Sequence, residues 1–169
     1  GAGASIVEFS RDEGGILSHS SATYTFEGEA EYIFYGTANN TDKGAKYIKM
    51  KGRKVYEFAL SKVPLAIQGC LEKSGESIDS VKKIFIHQAN LKMDEAIVKR
   101  FYHLYKKSMP KEILPMNIQE YGNSSVASVP TLYDLVLKKN YNGHNLNKGD
   151  VIIFASVGAG MNINSITYK

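Results

Sequence analysis

A histidine follows a short apolar segment and precedes residues suited to begin a helix. The segment Ile84-Phe85-Ile86 is continuously apolar, which is typical of a strand covered on both faces of a sheet. His87-Gln88-Ala89-Asn90 comes directly after it, and Asn90 can cap the next helix. Ligands of α/β folds bind at the carboxyl ends of strands, so His87 would be held by rigid elements where a ligand can reach it. A purely structural histidine is the alternative.

Two further turns could take part in the same chemistry. Tyr121-Gly122-Asn123-Ser124-Ser125 lies at a predicted strand-to-helix turn, where Asn123 offers an amide donor or caps the helix. In Val157-Gly158-Ala159-Gly160-Met161, small residues let a ligand approach N–H groups that can bind an oxyanion; a tight turn between strands is the alternative. A histidine, a carboxamide and such a turn at adjacent strand ends can bind a thioester carbonyl and stabilise an enolate. That is the chemistry of decarboxylating a malonyl thioester.

Alternating strands and helices are predicted to position these segments. Strands are predicted at 5–9, within 16–36, at 84–86, 116–118, 151–154 and 162–168, and helices at 53–73, 91–107 and from 124 or 125 to 139. Residues 36–46 are a predicted polar loop, and Pro64 is expected to kink or break the first helix. The alternation implies a layered α/β domain with a mixed sheet, mostly parallel, whose last two strands pair antiparallel.

Composition limits the possible functions. The chain has 169 residues, of which 43% are hydrophobic, enough for one domain with a buried core. The net charge of +4 is too weak to argue for nucleic acid, but it suits an acidic protein or a phosphate-bearing ligand. No apolar run approaches the roughly 20 residues of a membrane-spanning helix.

Cys70 is the only cysteine and lies on an apolar helical stripe, so we expect neither a disulfide nor a reactive thiol. The remaining histidines have no motif partner and are expected at the surface: His19, His103 and His144.

The chain opens on small residues. Gly1-Ala2-Gly3-Ala4 runs directly into Ser5-Ile6-Val7-Glu8-Phe9, which we predict to be a buried strand. A small-residue run packed against another element suggests a cut inside a larger protein. A tag remnant or a flexible start is the alternative.

These motifs resemble those of β-ketoacyl-acyl-carrier-protein synthase III, in the same order. The matching segments are Gly1-Ala2-Gly3-Ala4, residues 51–59 (Lys-Gly-Arg-Lys-Val-Tyr-Glu-Phe-Ala), residues 87–92 (His-Gln-Ala-Asn-Leu-Lys), residues 121–130 and Gly158-Ala159-Gly160. The resemblance covers essentially the whole chain. It is specific, because elongating synthases use two histidines, thiolases use a second cysteine in this half, and chalcone-synthase-like enzymes have different flanking residues.

The resemblance implies a thiolase-like fold of two similar α/β halves, in a homodimer. It divides the chain into residues 1–45, the end of the N-terminal half with a connecting region, and residues 46–169, the C-terminal domain. The implied reaction joins the acyl group of an acyl-CoA to malonyl-acyl-carrier protein with loss of carbon dioxide, in the cytoplasm. A cysteine in the other half takes the acyl group, so this chain alone should be inactive. No cofactor or metal is implied, and CoA and phosphopantetheine thioesters are the substrates.

The resemblance also assigns roles to individual residues. His87 and Asn123 would hydrogen-bond the malonyl thioester carbonyl. The other implied residues are Gly158, Ala159 and Gly160 at the oxyanion hole, Gly52, Arg53 and Asn90 along the pantetheine tunnel, Val157 at the acyl pocket, and Lys92 facing the carrier protein. Arg53, Lys92 and either Lys99 or Arg100 would form a basic surface. A specialised secondary-metabolite synthase of the same fold and a non-catalytic fragment or binding subunit remain alternatives.

Overall fold

The described residues form six strands and four α-helices. The computed structural model describes residues 1–11, 14–38 and 44–169, so the part of the predicted polar loop at 39–43 lies outside the described residues. The strands are β1 (Ile16–Thr23), β2 (Ile33–Thr37), β3 (Lys46–Met50), β4 (Val81–Ile86), β5 (Val151–Gly158) and β6 (Asn162–Tyr168). The helices are α1 (Gly52–Ser74), α2 (Leu91–Leu104), α3 (Ile118–Tyr121) and α4 (Ser128–Lys139). Strands β2 and β3 form a separate hairpin.

The main sheet has the order β1-β6-β5-β4. Strands β4 and β5 are parallel, with Ile86 opposite Ala155, whereas β6 is antiparallel to both β5 and β1. The predicted antiparallel final pair is therefore confirmed, and the prediction of a mostly parallel sheet is wrong. A three-residue turn reverses the chain between β5 and β6, and a connection that short permits only an antiparallel pair. Because β6 lies between two strands that run the other way, it makes two of the three pairings antiparallel.

The core lies on both faces of this sheet. Ile84 and Ile86 pack into one apolar cluster with α1 and α2, and Phe85 packs into a second with α4. All three side chains are buried, as the continuous apolar run predicted. Alternate residues of a strand face opposite sides, so β4 needs apolar residues at every position. This burial fixes β4 rigidly, and with it the residue that follows.

Two predicted strands do not form. The side chains of Ile6 and Phe9 are 98% and 90% exposed, and no described strand pairs with residues 5–9; a β-rich sequence forms a strand only beside a partner. The small residues before them do pack closely, since a Cβ added to Gly3 would lie 2.5 Å from Cγ of Pro130. The second wrong prediction is 116–118, where the Asn117 N–H donates to Oε1 of Gln88 at 2.9 Å rather than to a neighbouring strand.

Helix α2 is confirmed but ends earlier than predicted. It stops at Leu104, and Lys106 has a positive φ of 55°. The Lys107 N–H then donates back to the carbonyl of Tyr102 at 3.1 Å, a bond typical of a helix C-terminus closed by a left-handed residue. Leu104, the last residue of the helix, is 41% exposed.

Helix α1 continues through Pro64 without the expected break. Proline has no N–H, so the carbonyl four residues earlier, that of Leu60, loses its helical donor. Nη1 of Arg100, on α2, donates to that carbonyl at 3.2 Å. The proline is therefore tolerated because a neighbouring helix supplies the missing hydrogen bond.

We expect replacement of Arg100 with alanine to destabilise the protein by about 1 kcal/mol, the usual net contribution of such a hydrogen bond. In a Pro64→Ala background the substituted residue regains a backbone N–H that can donate to the Leu60 carbonyl, so the same Arg100 replacement should cost much less. Urea unfolding of the four proteins of this double-mutant cycle measures the difference. Lys99→Ala is the matched control, since Lys99 lies beside Arg100 and its side chain pairs with Glu95 on the same helix. Equal costs in the two backgrounds would contradict this explanation.

Candidate active site at the carboxyl edge of the sheet

The parallel strands β4 and β5 bring two of the three candidate segments to one edge of the sheet. β4 ends at Ile86, and the His87 N–H continues the pairing by donating to the carbonyl of Ala155 at 2.9 Å. Three residues after Ala155, β5 ends at Gly158 and the turn 159–161 begins. His87 and the glycine-rich turn therefore leave the same edge of the sheet.

The third segment reaches this edge through Ser128. The Nδ1 atom of His87 lies 2.7 Å from Oγ of Ser128, the first residue of α4. Ser128 is buried, its hydroxyl donates to the carbonyl of Ser125 at 2.8 Å, and the Gln88 N–H donates to its Oγ at 3.4 Å. The residue after β4 is thus joined to the beginning of α4. The sequence did not single out Ser128, although it lies within the segment 121–130.

Asn123 belongs to the same hydrogen-bonded chain. Its Oδ1 accepts from the Ser125 N–H at 2.8 Å, while the Ser125 carbonyl accepts from Ser128. This bond spans two residues and forms a local turn, whereas the helix cap considered for Asn123 does not form: Ser124 precedes the turn 125–127, and no side chain caps it. Because the oxygen of the amide faces the backbone, the NH₂ group is directed away from it. Asn123 is exposed, so that donor is accessible to a ligand.

The turn after β5 exposes backbone. Residues 158–160 are exposed, and Gly160 has a positive φ of 75°. Met161 follows with a φ of 48° and a fully buried side chain, and its carbonyl accepts from the Tyr24 N–H at 3.2 Å. The left-handed conformation of these two residues and the hydrogen bond from Tyr24 together fix the backbone of the turn. Val157, just before it, is half-buried.

The loop 87–90 is fixed by its own side chains. Gln88 is buried, its Nε2 donates to the Ile86 carbonyl at 3.0 Å, and its Oε1 accepts from the Asn117 N–H at 2.9 Å. Asn90 caps α2, with its Oδ1 accepting from the Met93 N–H at 3.2 Å, as predicted. Burial lowers the pKa of His87, and hydrogen bonding to the Ser125 backbone opposes that shift. The lowered pKa favours the neutral imidazole.

A buried carboxyl group lies beside this loop. Asp94 is 1% exposed, and its Oδ2 accepts from the Asn90 N–H at 3.3 Å. Burial raises the pKa of Asp94 to about 7, against the opposing effect of the Asn90 and Ala89 N–H groups. No charged group among the described residues contributes to this shift.

This pKa makes stability depend on pH. The folded pKa lies above the ordinary value of 3.8, so the folded protein holds the Asp94 proton more tightly than the unfolded chain does. The favourable contribution is complete below about pH 4 and is lost as the pH rises to about 7, after which it is constant. We expect Asp94→Asn, which cannot ionise, to gain stability relative to the parent protein between pH 5 and pH 8. Thermal unfolding of both proteins at several pH values measures this; a constant difference would contradict the raised pKa.

The remaining predicted residues lie on the surface around α1 and α2. Gly52 and Arg53 begin α1 and are exposed, as is Lys92 in the first turn of α2. Within the described part of the chain, no hydrogen bond links them to His87 or Asn123. Arg53 pairs with Glu57 at 2.8 Å and Lys99 with Glu95 at 3.6 Å. Of the predicted basic surface, these two charges are therefore partly neutralised by neighbours.

The other predictions about titratable residues have mixed outcomes. His19 and His103 are exposed, as expected, whereas His144 is half-buried and the prediction that it lies at the surface is wrong. Burial lowers the pKa of His144, and the positive charge of Lys83 lowers it further. Cys70 is buried, with Sγ 3.2 Å from Oγ of Ser18, which confirms that it is enclosed.

In the described ranges, no cluster of three or more histidine, cysteine or acidic residues could hold a metal, and no helix has the length and apolarity to span a membrane.

Comparison with known proteins agrees with the resemblance found in the sequence motifs. The family described as 3-oxoacyl-[acyl-carrier-protein (ACP)] synthase III C terminal matches residues 71–169. The chain is 36% identical over 122 residues to a β-ketoacyl-[acyl-carrier-protein] synthase III of Porphyra umbilicalis, covering 72% of this chain and 34% of that protein. It is 32% identical over 177 residues to the protein of that name from Lactobacillus helveticus, covering 100% and 50%.

A solved structure shows the same architecture. The crystal structure of 3-oxoacyl-[acyl-carrier-protein] synthase III from Aquifex aeolicus superposes with a TM-score of 0.75 at 26% identity, covering 95% of this chain and 46% of that one. The matched regions therefore span between about a third and a half of the length of these curated relatives.

Proposed function

The chain belongs to the 3-oxoacyl-[acyl-carrier-protein] synthase III family, whose C-terminal region it matches, and from this we propose that it forms the C-terminal half of a decarboxylating condensing enzyme. The enzyme transfers an acyl group from acyl-CoA to malonyl-acyl-carrier protein and releases carbon dioxide and CoA. One observation carries the proposal. His87 and Asn123 each have one polar atom engaged in the same hydrogen-bonded chain through Ser128 and Ser125, which leaves one ring nitrogen and one NH₂ group for a substrate.

Those two groups suit the decarboxylation step. Loss of carbon dioxide from the malonyl thioester leaves an enolate, whose negative charge develops on the thioester oxygen. The Nε2–H of His87 and the NH₂ of Asn123 would donate to that oxygen. Removing one such donor typically costs 10²- to 10³-fold in rate, because the donors are oriented before the charge appears. The neutral His87 favoured by its lowered pKa suits this role, since a neutral ring with its hydrogen on Nε2 donates without adding charge.

Acyl transfer needs a second set of groups. The backbone of residues 158–160 would bind the oxyanion formed when a cysteine of the other half attacks the acyl-CoA, and Val157 would border the acyl chain. Gly52, Arg53 and Asn90 would line the route of the phosphopantetheine arm. The thioester substrates supply the reactive groups, so the reaction needs no further cofactor. We place the dimeric enzyme in the cytoplasm, with residues 1–45 forming the end of the N-terminal half and a connecting region, and residues 46–169 forming the C-terminal domain.

The direct test is an assay of the full-length protein with acyl-CoA and malonyl-acyl-carrier protein. Formation of β-ketoacyl-acyl-carrier protein together with carbon dioxide is the expected result. A series of acyl-CoA primers separates fatty acid initiation from a specialised pathway. Decarboxylation without carbon–carbon bond formation, or no turnover with any primer, would contradict the proposal.

The carrier protein should meet the surface near Lys92. Acyl carrier proteins are acidic, and Lys92 is exposed at the beginning of α2. We expect Lys92→Glu in the full-length enzyme to lower kcat/KM for malonyl-acyl-carrier protein about fivefold at low salt, with a smaller effect at about 0.3 M salt, because exposed charges act mainly on the association rate. Lys138→Glu is the control, since Lys138 is an exposed lysine of α4 outside the predicted basic surface and is paired with Asp134. Equal effects at both salt concentrations, or in both variants, would count against a carrier contact at Lys92.

A further inference from the structure

Ser128 contacts the Nδ1 atom of the His87 ring. Its Oγ lies 2.7 Å from His87 Nδ1 and 2.8 Å from the Ser125 carbonyl oxygen, and it accepts from the Gln88 N–H at 3.4 Å. A hydroxyl has one hydrogen to donate. The Ser125 carbonyl can only accept, whereas Nδ1 can accept or donate, so the two neighbours compete for that hydrogen.

We propose that Ser128 is a positioning residue for His87, and that the direction of its single hydroxyl hydrogen selects which ring nitrogen of His87 carries a proton. When the hydroxyl donates to Nδ1, the neutral ring carries its hydrogen on Nε2. When the hydroxyl donates to Ser125, the Nδ1–H of the ring donates to Oγ and Nε2 is left as a lone pair. The first arrangement offers a hydrogen-bond donor to a ligand, and the second offers an acceptor.

The surroundings of Ser128 keep both arrangements within reach. Ser128 is 1% exposed, so water does not compete for its hydroxyl. The Gln88 N–H donates to Oγ in both arrangements, and Gln88 is itself held by Ile86 and Asn117. The two arrangements therefore differ in one hydroxyl rotation and in the position of one ring hydrogen, which exchanges through solvent at the half-buried ring.

The consequence for turnover rests on the proposed function. A thioester oxygen that becomes negatively charged needs Nε2–H, so a bound malonyl thioester favours the arrangement in which Ser128 donates to Nδ1. Without the hydroxyl, the acceptor left on this side of the ring is the Ser125 carbonyl, whose oxygen lies 2.8 Å from the Ser128 Oγ that Nδ1 now contacts. Since a carbonyl only accepts, the ring hydrogen would then stay on Nδ1 and Nε2 could no longer donate.

Nitrogen-15 NMR of the His87 ring in the full-length protein tests the inference, because ring nitrogen shifts report which nitrogen carries hydrogen. At a pH above the His87 transition, we expect Ser128→Ala to increase the Nδ1–H population relative to the parent protein, and Ser128→Thr, which keeps a hydroxyl, to preserve the parent ratio. The kcat for condensation should fall about tenfold in Ser128→Ala with KM changed less than about twofold, the pattern of a misoriented catalytic group.

Ser165→Ala is the matched control, because Ser165 is equally buried and its Oγ has no partner among the described residues. If Ser128→Ala does not fold, Ser128→Cys replaces it as a weaker donor at the same position, with the same expected direction. An unchanged tautomer ratio, or a shift towards Nε2–H, would overturn the inference. The ring measurement needs no turnover, so it decides the role of Ser128 even if the parent protein proves inactive in condensation.

Discussion

Full-length enzyme carrying His87→Ala should lose at least about a hundredfold in the rate of carbon dioxide release from malonyl-acyl-carrier protein. The same variant should still transfer the acyl group from acyl-CoA to the enzyme at a rate within about tenfold of the parent. The difference arises because His87 would stabilise the enolate oxygen, whereas the backbone of residues 158–160 would stabilise the oxyanion of acyl transfer. A large effect on one half-reaction is the signature of a group that acts in one transition state.

Two measurements separate these half-reactions. Release of labelled carbon dioxide follows decarboxylation, and single-turnover labelling with radioactive acyl-CoA follows acylation. His103→Ala is the matched control, since His103 is an exposed histidine at the far end of α2. Asn123→Ala should resemble His87→Ala, because both donors would serve the same oxygen. Equal losses in acylation and decarboxylation would show that His87 supports the fold of the site and does not stabilise the enolate.

Local patterns in the sequence predicted the elements that carry this site. The continuous apolar run at β4 placed His87 at a strand end, and Asn90 identified the beginning of α2 through its capping side chain. The glycine-rich interval at 158–160 predicted the antiparallel return of β6. In each of these cases the determining interaction lies within a few residues of the chain, so a local sequence pattern is enough to predict it.

Three of the features that the sequence did not predict involve partners distant in sequence. The carbonyl of Leu60 is satisfied by Arg100, 40 residues away, so α1 survives its proline. Asn117 bonds to a side chain from the loop after β4, so no strand forms at 116–118. Ser128 becomes important only because the fold brings it against His87, 41 residues earlier. A one-dimensional pattern shows that such residues are polar or unusual, but their partners are known only once the elements are packed.

The resemblance and the residue types identified His87 and Asn123 but could not reveal what orients them. Serine is common in turns, and Ser128 was one of several serines in a segment already explained by helix initiation. Asp94 gave no signal either, because an acidic residue in the first turn of a helix is ordinary. Only its burial, at 1% exposure, makes it unusual. Asp94 bonds to the loop 87–90, and Ser128 joins that loop to the beginning of α4. The parts of the site hardest to predict are therefore those that support the reacting groups.

The 169-residue chain on its own should form no β-ketoacyl product, a loss of the whole condensing activity. Acyl transfer in the proposed reaction needs an accessible thiolate, and the only cysteine of this chain is Cys70. That residue is fully buried between α1 and the sheet. Its Sγ lies 3.2 Å from Ser18 Oγ and 3.5 Å from Thr167 Oγ1, and it is 3.4 Å from the Ser165 carbonyl oxygen. These are weak hydrogen-bonding neighbours in an enclosed site, and no positive charge among them would stabilise a thiolate.

Incubation of the purified chain with radiolabelled acyl-CoA and malonyl-acyl-carrier protein tests this expectation. Neither labelled β-ketoacyl-acyl-carrier protein nor label stably attached to the chain should appear, and Cys70→Ala should behave in the same way as the parent chain. Adding the remainder of the enzyme as a separate polypeptide should restore activity if the two halves associate, because His87 and Asn123 are supplied by this chain. A stable thioester at Cys70, or product that disappears in Cys70→Ala, would contradict the proposal, since it would show that the buried thiol can open to a substrate and act as the nucleophile.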